Sequence, residues 1–366
     1  MKFLDLFAGI GGFHLGMEQA GHQCVGWIEW DKFARQSYQA IHDVEGIWNA
    51  SDIRTVRANE LPQADCWCFG FPCQDISVAG KQKGFTAGKR SSLFFTVTGL
   101  IRDLEEKNRP SYLLIENVKN LLSINRGFDF LKLQIELDEI GYDCEWDVLD
   151  SAEVVPQHRE RIFIVGHLRG RRTQQVFPII QSDRQAISRS DATNTLTTRY
   201  GEAQGAGSYI AEGQPQKIKS APKIIVNPHG FNKGGVKSIV PTVTAGSFKD
   251  NTFVLKVREA TKSGHDVATI GDSINFAQPN SKTRRGRVGH GVANTITAGM
   301  EQATLTDDLK IRKLTPLECW RLQGFPDWAF NRAKQAGLSD SQLYKQAGNS
   351  VTVPVIKVIA EKMKIS

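Results

Sequence analysis

Short apolar runs alternate with amphipathic segments through the first half of the chain. The apolar runs have the length of strands, and the segments between them repeat apolar residues every three or four positions, as helices do. This alternation predicts an α/β fold built on a doubly wound, mostly parallel sheet. The predicted strands cover residues 2–7, 24–29, 64–69, 111–115 and 161–166, and the predicted helices cover 13–20, 32–41, 93–106 and 128–140.

The pattern changes after residue 176. Gly, Ser, Thr and Asn become common, the β-branched runs are short, and helical periodicity is weak. We therefore expect a catalytic and cofactor-binding domain over residues 1–176 and a second, smaller, irregular β-rich domain over 177–311. Helical periodicity returns over 312–366, where Thr315-Pro316 offers an N-cap and a first helical residue. This last segment is expected to act as a hinge and return to the first domain.

A short Thr-rich unit recurs three times in the middle segment, at residues 194–197, 241–246 and 294–299. The copies lie about 50 residues apart, a period that can mark repeated structural units. Chance recurrence of Thr-rich strands explains the same pattern, and both interpretations stay open. If the copies are structural, they mark repeated units of the middle segment.

The charge of the chain lies mainly in this middle segment. The formal net charge is +7 and the isoelectric point is about 9.0. Residues 169–312 carry about two basic residues for every acidic one. A solvated basic face would look similar, but the concentration in one segment favours a surface that binds phosphates.

Cysteine usage and hydropathy indicate a cytoplasmic protein, and we expect a monomer because nothing in the sequence requires self-association. Six cysteines without regular spacing do not make a disulfide framework in a chain of 366 residues. No apolar stretch reaches the length of a membrane span, and Asp5 interrupts the first apolar run, unlike a signal peptide. Cys66 and Cys68 have no second Cys/His pair at ligand spacing, so no metal site is expected.

A glycine turn between the first strand and the first helix predicts a nucleoside site. The turn spans residues 8–12, and Glu29 ends the next strand, where a ribose-hydroxyl acceptor belongs. Trp30 could stack on an adenine, and Asp52 could accept from its amino group. Many such loops are only tight turns, and His14 breaks the G-x-G-x-x-G pattern that NAD requires. S-adenosylmethionine has no pyrophosphate, so it suits the altered turn.

Two motifs carry the reaction chemistry. Phe71-Pro72-Cys73-Gln74 and Glu116-Asn117-Val118 each lie at the end of a predicted strand. In a doubly wound sheet these strands should be neighbours, with their carboxyl ends at one edge. A thiolate can add to C6 of a pyrimidine, and an acid can protonate N3. A buried structural cysteine is the commoner case, but the Pro-Cys-Gln turn argues against it.

Two basic segments could complete this site. The loop over residues 76–92 contains Lys81, Lys83, Lys89 and Arg90, as a lid over a nucleic acid would, although an exposed loop has the same composition. In Gln157-His158-Arg159-Glu160-Arg161, period-two alternation places Arg159 and Arg161 on one face of a strand. Their guanidinium groups can hold a base carbonyl, a phosphate or Glu116.

As a set, these motifs resemble those of the DNA (cytosine-5)-methyltransferases, in particular the compact bacterial and phage type. The matching segments occur in the family's order at both ends of the chain and are highly specific together. They are Asp5 to Gly12, Glu29-Trp30, Gly70 to Gln74, Glu116 to Asn120, Gln157 to Arg161, Arg312 to Pro316, Gly324 to Pro326 and Gly348 to Val351.

The resemblance implies roles for individual residues. Cys73 would be the covalent nucleophile, Glu116 would contact N3 and the amino group of cytosine, Arg161 would hold the base carbonyl, and Arg159 would support the site. The resemblance also implies a base flipped out of duplex DNA, and it assigns target recognition to the middle domain, residues 177–311. There the Thr-rich copies would mark more than one recognition unit. The implied S-adenosylmethionine site comprises Phe7, Gly9, Ile10, Gly12, Glu29, Trp30, Asp52, Ile53, Pro72, Leu93, Asn349, Ser350 and Val351.

The expected function is sequence-specific methylation of cytosine C5 in double-stranded DNA, as part of a restriction–modification system or of phage self-protection. A separate restriction endonuclease would then be a partner. An RNA cytosine methyltransferase is the first alternative, and the large basic middle domain favours DNA over it. A catalytically silent DNA-binding protein is the second, and the intact motifs around Cys73 and Glu116 argue against it.

Overall fold

A computed structural model describes residues 1–71, 92–179, 255–278, 281, 283–299, 301–306 and 311–365, together with two short strands at 224–226 and 235–237. The segment 72–91, which contains Pro72, Cys73 and the basic loop, lies outside the described residues. So do the first two Thr-rich copies. Among the described residues, no helix is both long enough and apolar enough to cross a membrane.

The core of the fold is a seven-stranded sheet in the order β3-β2-β1-β4-β5-β7-β6. The strands β1 to β5 are parallel to one another, and β7 runs antiparallel to both β5 and β6. The mostly parallel α/β sheet that the sequence predicted is therefore confirmed. The strands are β1 (Lys2–Leu6), β2 (Gln23–Ile28), β3 (Trp48–Ala50), β4 (Cys66–Gly70), β5 (Tyr112–Val118), β6 (Tyr142–Asp150) and β7 (Glu160–Leu168).

Helices cover both faces of this sheet. One apolar cluster packs α3 and α4 against β1, β4 and β5, and a second packs α1 and α8 against the opposite face. The last helix thus belongs to the same core as the first strand. The helices are α1 (Gly12–Gln19), α2 (Lys32–Ile41), α3 (Ser92–Asp103), α4 (Phe128–Glu139), α5 (Pro316–Leu322), α6 (Asp327–Gln335), α7 (Asp340–Asn349) and α8 (Val353–Lys362).

The prediction missed the two edge strands, β3 and β6. The β3 strand has only three residues, Trp48–Ala50, too few for a periodic signal. The β6 strand reads YDCEWDVLD, with charged residues at alternate positions and most side chains only partly buried. An edge strand has one neighbour and needs little apolar sequence, which explains why hydrophobic patterning did not find it.

The chain divides into two compact units. The first comprises Met1–Ala192, Thr295–Met300 and Leu314–Ser366, and the second comprises Thr193–Asn294 and Glu301–Lys313. The described part of the second unit contains only short strands, which confirms the expected small β-rich element of the fold. They form the pair β8 (Ile224–Val226) and β9 (Gly235–Lys237), the pair β10 (Leu255–Arg258) and β11 (His265–Ala268), and a sheet of β12 (Ser273–Asn275), β13 (Val288–Gly289), β14 (Gln302–Leu305) and β15 (Ile311–Lys313).

Residues 295–299 of the third Thr-rich copy belong to the first unit, although the predicted boundaries placed them in the middle domain. The Thr295 hydroxyl donates to the His158 carbonyl oxygen at 2.7 Å. The Ile296 backbone N–H donates to Oε1 of Gln157 at 3.0 Å. These bonds attach the segment to the residues that lead into β7. At least this copy therefore contacts the sheet domain.

Packing between α1 and α8 depends on a missing side chain. A Cβ at Gly16 would lie 2.5 Å from Cβ of Ile356 and 2.9 Å from the Val353 carbonyl oxygen. Replacing Gly16 with Ala should lower the free energy of unfolding by about 1–3 kcal/mol, because overpacking forces the two helices apart.

Gly99 in α3 provides the matched control, since no atom of the described residues would lie within 4 Å of a Cβ added there. Gly99→Ala should be neutral or stabilise by up to about 1 kcal/mol, from helix propensity alone. Urea unfolding of both variants measures the difference. Equal effects of the two substitutions would contradict the packing argument.

Candidate active site

A cavity of about 730 Å³ lies in the first unit at the carboxyl ends of the parallel strands. The topology explains its position, because ligand crevices in open α/β sheets form outside these strand ends. The predicted site residues that line it are Phe7, Gly9, Ile10, Glu29, Trp30, Asp52, Ile53, Leu93, Glu116, Arg159, Arg161, Asn349 and Ser350. Gly12 and Val351 do not line the cavity, but they pack closely against each other. Pro72 and Cys73 fall outside the described residues.

One end of the cavity is built on the glycine turn and Glu29. The Gly9 backbone N–H donates to Oε2 of Glu29 at 2.7 Å, and the Asp31 N–H donates to Oε1 at 2.7 Å. Burial raises the pKa of the Glu29 carboxyl, and these N–H groups offset part of that rise. Each carboxyl oxygen has a second lone pair, so Glu29 can still accept from a ribose hydroxyl.

Trp30 and Asp52 form a second wall, joined by an arginine that the sequence motifs did not indicate. The guanidinium of Arg54 lies 4.4 Å from the centre of the Trp30 ring and bonds both carboxylate oxygens of Asp52 at 2.9 Å. Hydrogen bonding to Arg54 lowers the pKa of Asp52. Trp30 is 65% exposed, so its ring can stack on a planar ligand on the face away from Arg54.

The glycine turn approaches the C-terminal part of the chain closely. A Cβ at Gly12 would lie 2.7 Å from both Oγ of Ser350 and Cγ2 of Val351. Only glycine permits this contact, which brings the Asn349-Ser350 turn to the cavity wall. A nucleoside with an extended polar arm fits this set of features. They are the glycine turn, the acceptor oxygens of Glu29 and the ring of Trp30. These residues therefore fit S-adenosylmethionine, which would supply an electrophilic methyl group.

Buried polar side chains hold the glycine turn from behind. The His42 ring donates through Nε2 to the Ile10 carbonyl oxygen at 3.0 Å and fills the space where a Cβ of Gly11 would lie. Burial lowers the pKa of His42 well below its ordinary value, so the ring is a neutral donor. The Tyr38 hydroxyl donates to Oδ2 of buried Asp5 at 3.2 Å. No periodic signal in the sequence indicated this support.

His42 also lies near His14 and Glu18, a group with metal-ligand chemistry among the described residues. The two imidazole rings stack with centres 4.0 Å apart and an angle of 18° between their planes. Nearly parallel rings keep their in-plane lone pairs in separate planes, and ring nitrogens of both residues already bond Tyr38, Glu18 and the Ile10 carbonyl oxygen. We therefore assign the cluster to support of the turn.

The opposite end of the cavity holds an ion pair between Glu116 of β5 and Arg161 of β7. Nε of Arg161 lies 3.0 Å from Oε1 of Glu116, and the two side chains are 17% and 13% exposed. Gly70, the last residue of β4, is directly opposite Glu116 in the parallel register. A Cβ at Gly70 would lie 3.0 Å from Oε2 of Glu116. Glycine thus leaves room for the carboxylate at the strand end.

The register also confirms that the strands leading to Cys73 and Glu116 are neighbours. The pairing of β4 with β5 is parallel and runs from Cys66 opposite Tyr112 to Gly70 opposite Glu116. Cys73 follows three residues after Gly70 in the sequence. A few residues of chain therefore separate the thiol from the strand end beside Glu116.

Arg159 lines the same cavity but binds different partners from Arg161. Its side chain is 4% exposed. It donates to the carbonyl oxygens of Ile296 at 3.3 Å, Gly348 at 3.3 Å and Ser350 at 2.8 Å. Burial, and then the nearby charge of Arg161, lower the pKa of Arg159 to about 9. Arg159 therefore fastens backbone segments at the cavity wall.

Two buried glutamines extend this network and were not predicted. Oε1 of Gln157 accepts from the Ile296 N–H, while its amide group donates to Oε1 of Gln323 at 3.4 Å. Gln323 donates to the Ala347 carbonyl oxygen at 2.9 Å and accepts from the Thr352 hydroxyl at 3.0 Å. The sequence offered only their position as a signal that these glutamines matter. Gln157 opens one of the matching motifs, and Gln323 directly precedes another.

Comparison with known proteins agrees with this geometry. The family model described as C-5 cytosine-specific DNA methylase matches residues 1–365. The type II methyltransferase M.NlaX of Neisseria lactamica is 32% identical over 367 residues, covering 99% of this chain and 96% of that protein. The orphan methyltransferase M.SPRI of Bacillus phage SPR is 28% identical over 431 residues, covering 99% and 97%.

Solved structures show the same fold at lower identity. The Dnmt2 methyltransferase of S. pombe has a TM-score of 0.59 at 17% identity, covering 98% of this chain and 96% of that one. A protein encoded within an E. coli prophage, described as a putative DNA modification methyltransferase, has a TM-score of 0.57 at 20% identity, with 99% and 98% covered. These likenesses extend over nearly the whole length of both chains and show a shared fold. With the family model spanning nearly every residue, this chain belongs to the C-5 cytosine-specific DNA methylase family.

Proposed function

We propose that this enzyme transfers a methyl group from S-adenosylmethionine to C5 of cytosine in a specific sequence of duplex DNA. The Glu116–Arg161 pair carries this proposal, because it lies in the same cavity as the nucleoside-fitting wall and beside the strand that leads to Cys73. A carboxyl group, a guanidinium and a thiol at one edge match the N3, carbonyl and C6 positions of cytosine.

The thiolate of Cys73 adds to C6 of the ring, forming a C–S bond at the expense of the C5–C6 double bond. With the base bound, Glu116 takes up a proton from solvent and gives it toward N3, while Arg161 donates to the ring carbonyl, so the electron density reaches C5. C5 would then form a bond to the methyl group of the donor's sulfonium, whose S–CH3 bond would break to leave a neutral thioether. Loss of the C5 proton to solvent and departure of the Cys73 thiolate restore the double bond, and Glu116 recovers its proton from N3.

The substrate base must leave the DNA helix for this chemistry. C6 of a stacked cytosine cannot be reached by a thiol, so the base is flipped into the cavity, as in other enzymes that act on DNA bases. The ion pair with Glu116 holds the Arg161 side chain in place before the base arrives. Preorganisation of this kind lowers the cost of orienting donors during the reaction.

The biological role that fits is protection of DNA by methylation, either beside a restriction endonuclease or in a phage. The names of two relatives motivate both, since M.NlaX is a type II methyltransferase and M.SPRI is an orphan methyltransferase of a phage. We propose that the enzyme acts as a monomer in the cytoplasm and that any cognate endonuclease is a separate protein.

Mapping 5-methylcytosine in unmethylated plasmid DNA, after incubation with enzyme and S-adenosylmethionine, tests the proposal. Methylation at one short motif supports it. Methylation at several unrelated motifs also supports the interpretation of the Thr-rich copies as repeated recognition units. Binding of S-adenosylmethionine without any DNA methylation contradicts the proposal and favours an RNA substrate or a silent DNA-binding protein.

Substituting Cys73 by Ala should abolish turnover, because the thiol forms a covalent bond only during the reaction, while DNA binding stays within a few-fold of the wild type. Cys144→Ala is the control, since Cys144 lies on edge strand β6 and does not line the cavity. Single-turnover methylation and a DNA-binding titration measure both properties. Retained turnover in Cys73→Ala would exclude the covalent step.

Replacing Glu116 with Gln should lower kcat by about 10²–10⁴-fold, the range for a lost general acid, with little change in affinity for S-adenosylmethionine. Glu160→Gln is the matched control, because Glu160 lies on β7 directly before Arg161 but is half-exposed and pairs with Lys119. Steady-state kinetics and calorimetric donor titrations separate the two effects. A collapse of donor binding in Glu116→Gln would show that the assigned role is wrong.

Truncating Trp30 to Ala should weaken binding of S-adenosylmethionine about 2- to 10-fold, as expected for one lost aromatic stacking contact. Trp328→Ala is the control, since Trp328 is 46% exposed and also carries an arginine, Arg332, over its ring. It does not line the cavity. Calorimetry measures both affinities, and an equal loss in the two variants would argue against stacking at Trp30.

A further inference from the structure

The second unit contains a loop, residues 283–288, that is fixed by a buried carboxylate; we call it the arginine loop. Glu259 is 7% exposed. Its carboxylate accepts from the backbone N–H groups of Gly286 at 3.1 Å, Arg287 at 2.5 Å and Val288 at 3.2 Å. Three backbone donors on one carboxylate determine the path of the chain at this end of the loop.

A buried guanidinium holds the arginine loop to the neighbouring segment. Arg287 is 3% exposed. It donates to the carbonyl oxygens of Asn275 at 3.4 Å, Ala277 at 3.1 Å and Gln278 at 2.6 Å. The apolar core around it is small, formed by Ala268, Ile274, Val288 and Leu305. Burying two charges so close to a small core is expensive, so they serve the shape of the loop more than the stability of the unit.

The tip of the arginine loop is ordered as well. Oγ of Ser281 accepts from the N–H groups of Thr283 at 3.4 Å and Arg284 at 3.2 Å. Nε of Arg285 donates to the Ala260 carbonyl oxygen at 2.9 Å. Among the described residues, the guanidinium of Arg284 has no hydrogen-bond acceptor. Within the part of the chain that the structure describes, Arg284 is thus the arginine of this hydrogen-bonded loop whose guanidinium lacks an acceptor, and its side chain is partly exposed.

The charges around the arginine loop favour an electron-rich partner. Burial lowers the pKa of Arg287, and the guanidinium groups of Arg284 and Arg258 lower it further, against the opposing effect of Glu259. One carboxylate thus faces several guanidinium groups. Its oxygens bond backbone N–H groups and not Arg284, and its single negative charge does not balance the positive charges of Arg258, Arg284 and Arg287.

We propose that Arg284 reads a guanine in the target sequence, with Glu259 and Arg287 as positioning residues for the arginine loop. This rests on the proposed function, since it assumes a duplex DNA substrate. The planar guanidinium matches O6 and N7 of guanine in the major groove, the commonest specific contact of arginine with DNA. A phosphate contact needs no such fixed direction, whereas base recognition requires a rigid support.

Methylation mapping on a plasmid library with Arg284→Ala tests the proposal, and Lys262→Ala is the charge-matched control. Lys262 is exposed in the same unit, in the turn between β10 and β11. In Arg284→Ala, discrimination should fall about 10- to 100-fold at one G·C pair of the wild-type motif, the value of one bidentate contact. The other positions should stay specific, and Lys262→Ala should keep the whole motif.

Uniform loss of methylation with an unchanged motif would mean that Arg284 binds phosphate only, and it would overturn the proposal. An unchanged motif at an unchanged rate would do the same. If the wild-type enzyme methylates no DNA, the proposed function fails first, which separates the two failures.

Glu259→Gln provides an independent test of positioning. An amide leaves one acceptor oxygen for three N–H donors, so the arginine loop loosens without loss of Arg284. We expect relaxed specificity at the same G·C pair that Arg284→Ala affects. The Glu259→Gln variant should still methylate DNA. Relaxation at a different pair, or at none, would contradict the assignment. Thermal unfolding and affinity for S-adenosylmethionine are measured on both variants. For Arg284→Ala, both values should match those of the wild type within error.

Discussion

The buried guanidinium of Arg159 is the interaction on which the cavity depends. Its hydrogen bonds reach Ile296 and the Gly348–Ser350 turn, segments more than a hundred residues away in sequence. A charge taken out of water and then deprived of its acceptors would cost several kcal/mol. Removal of the Arg159 side chain would therefore loosen all three backbone segments at once. The cavity wall at Ser350 and the strand that carries Arg161 are thus held together by Arg159, and the Gln157–Gln323 network adds to this link.

Glycine residues at the cavity allow neighbouring segments to approach closely. Gly12 admits Ser350 and Val351 at the donor end, and Gly70 leaves room for the Glu116 carboxylate at the base end. Between them the parallel register of β4 and β5 sets the height of the two catalytic strands. In the proposed reaction, backbone geometry would therefore set the distance between methyl donor and target base, and side chains would provide the chemistry.

Periodicity sufficed for the central strands β1, β2, β4, β5 and β7, because buried strands need continuous apolar sequence. It failed for edge strands β3 and β6, which need little. Motif reasoning located the cavity residues, yet it could not find Arg54 or His42, whose roles come from contacts across the fold. Nor could it show that Arg159 and Arg161, neighbours on one strand face, bind different groups. Such pairing is decided by what the rest of the chain places nearby.

The cavity wall joins segments that are far apart in sequence, since Gly9 and Glu29 come from the first β-α units, whereas Asn349 ends α7 and Ser350 follows it. During synthesis a nascent chain can pair its first strands early, but the wall stays open until the C-terminal helices have left the ribosome. A nascent chain that stops before α7 therefore lacks part of the cavity wall. Topology alone delays completion of the cavity until that segment has been made, and it makes folding dependent on contacts of very long sequence separation.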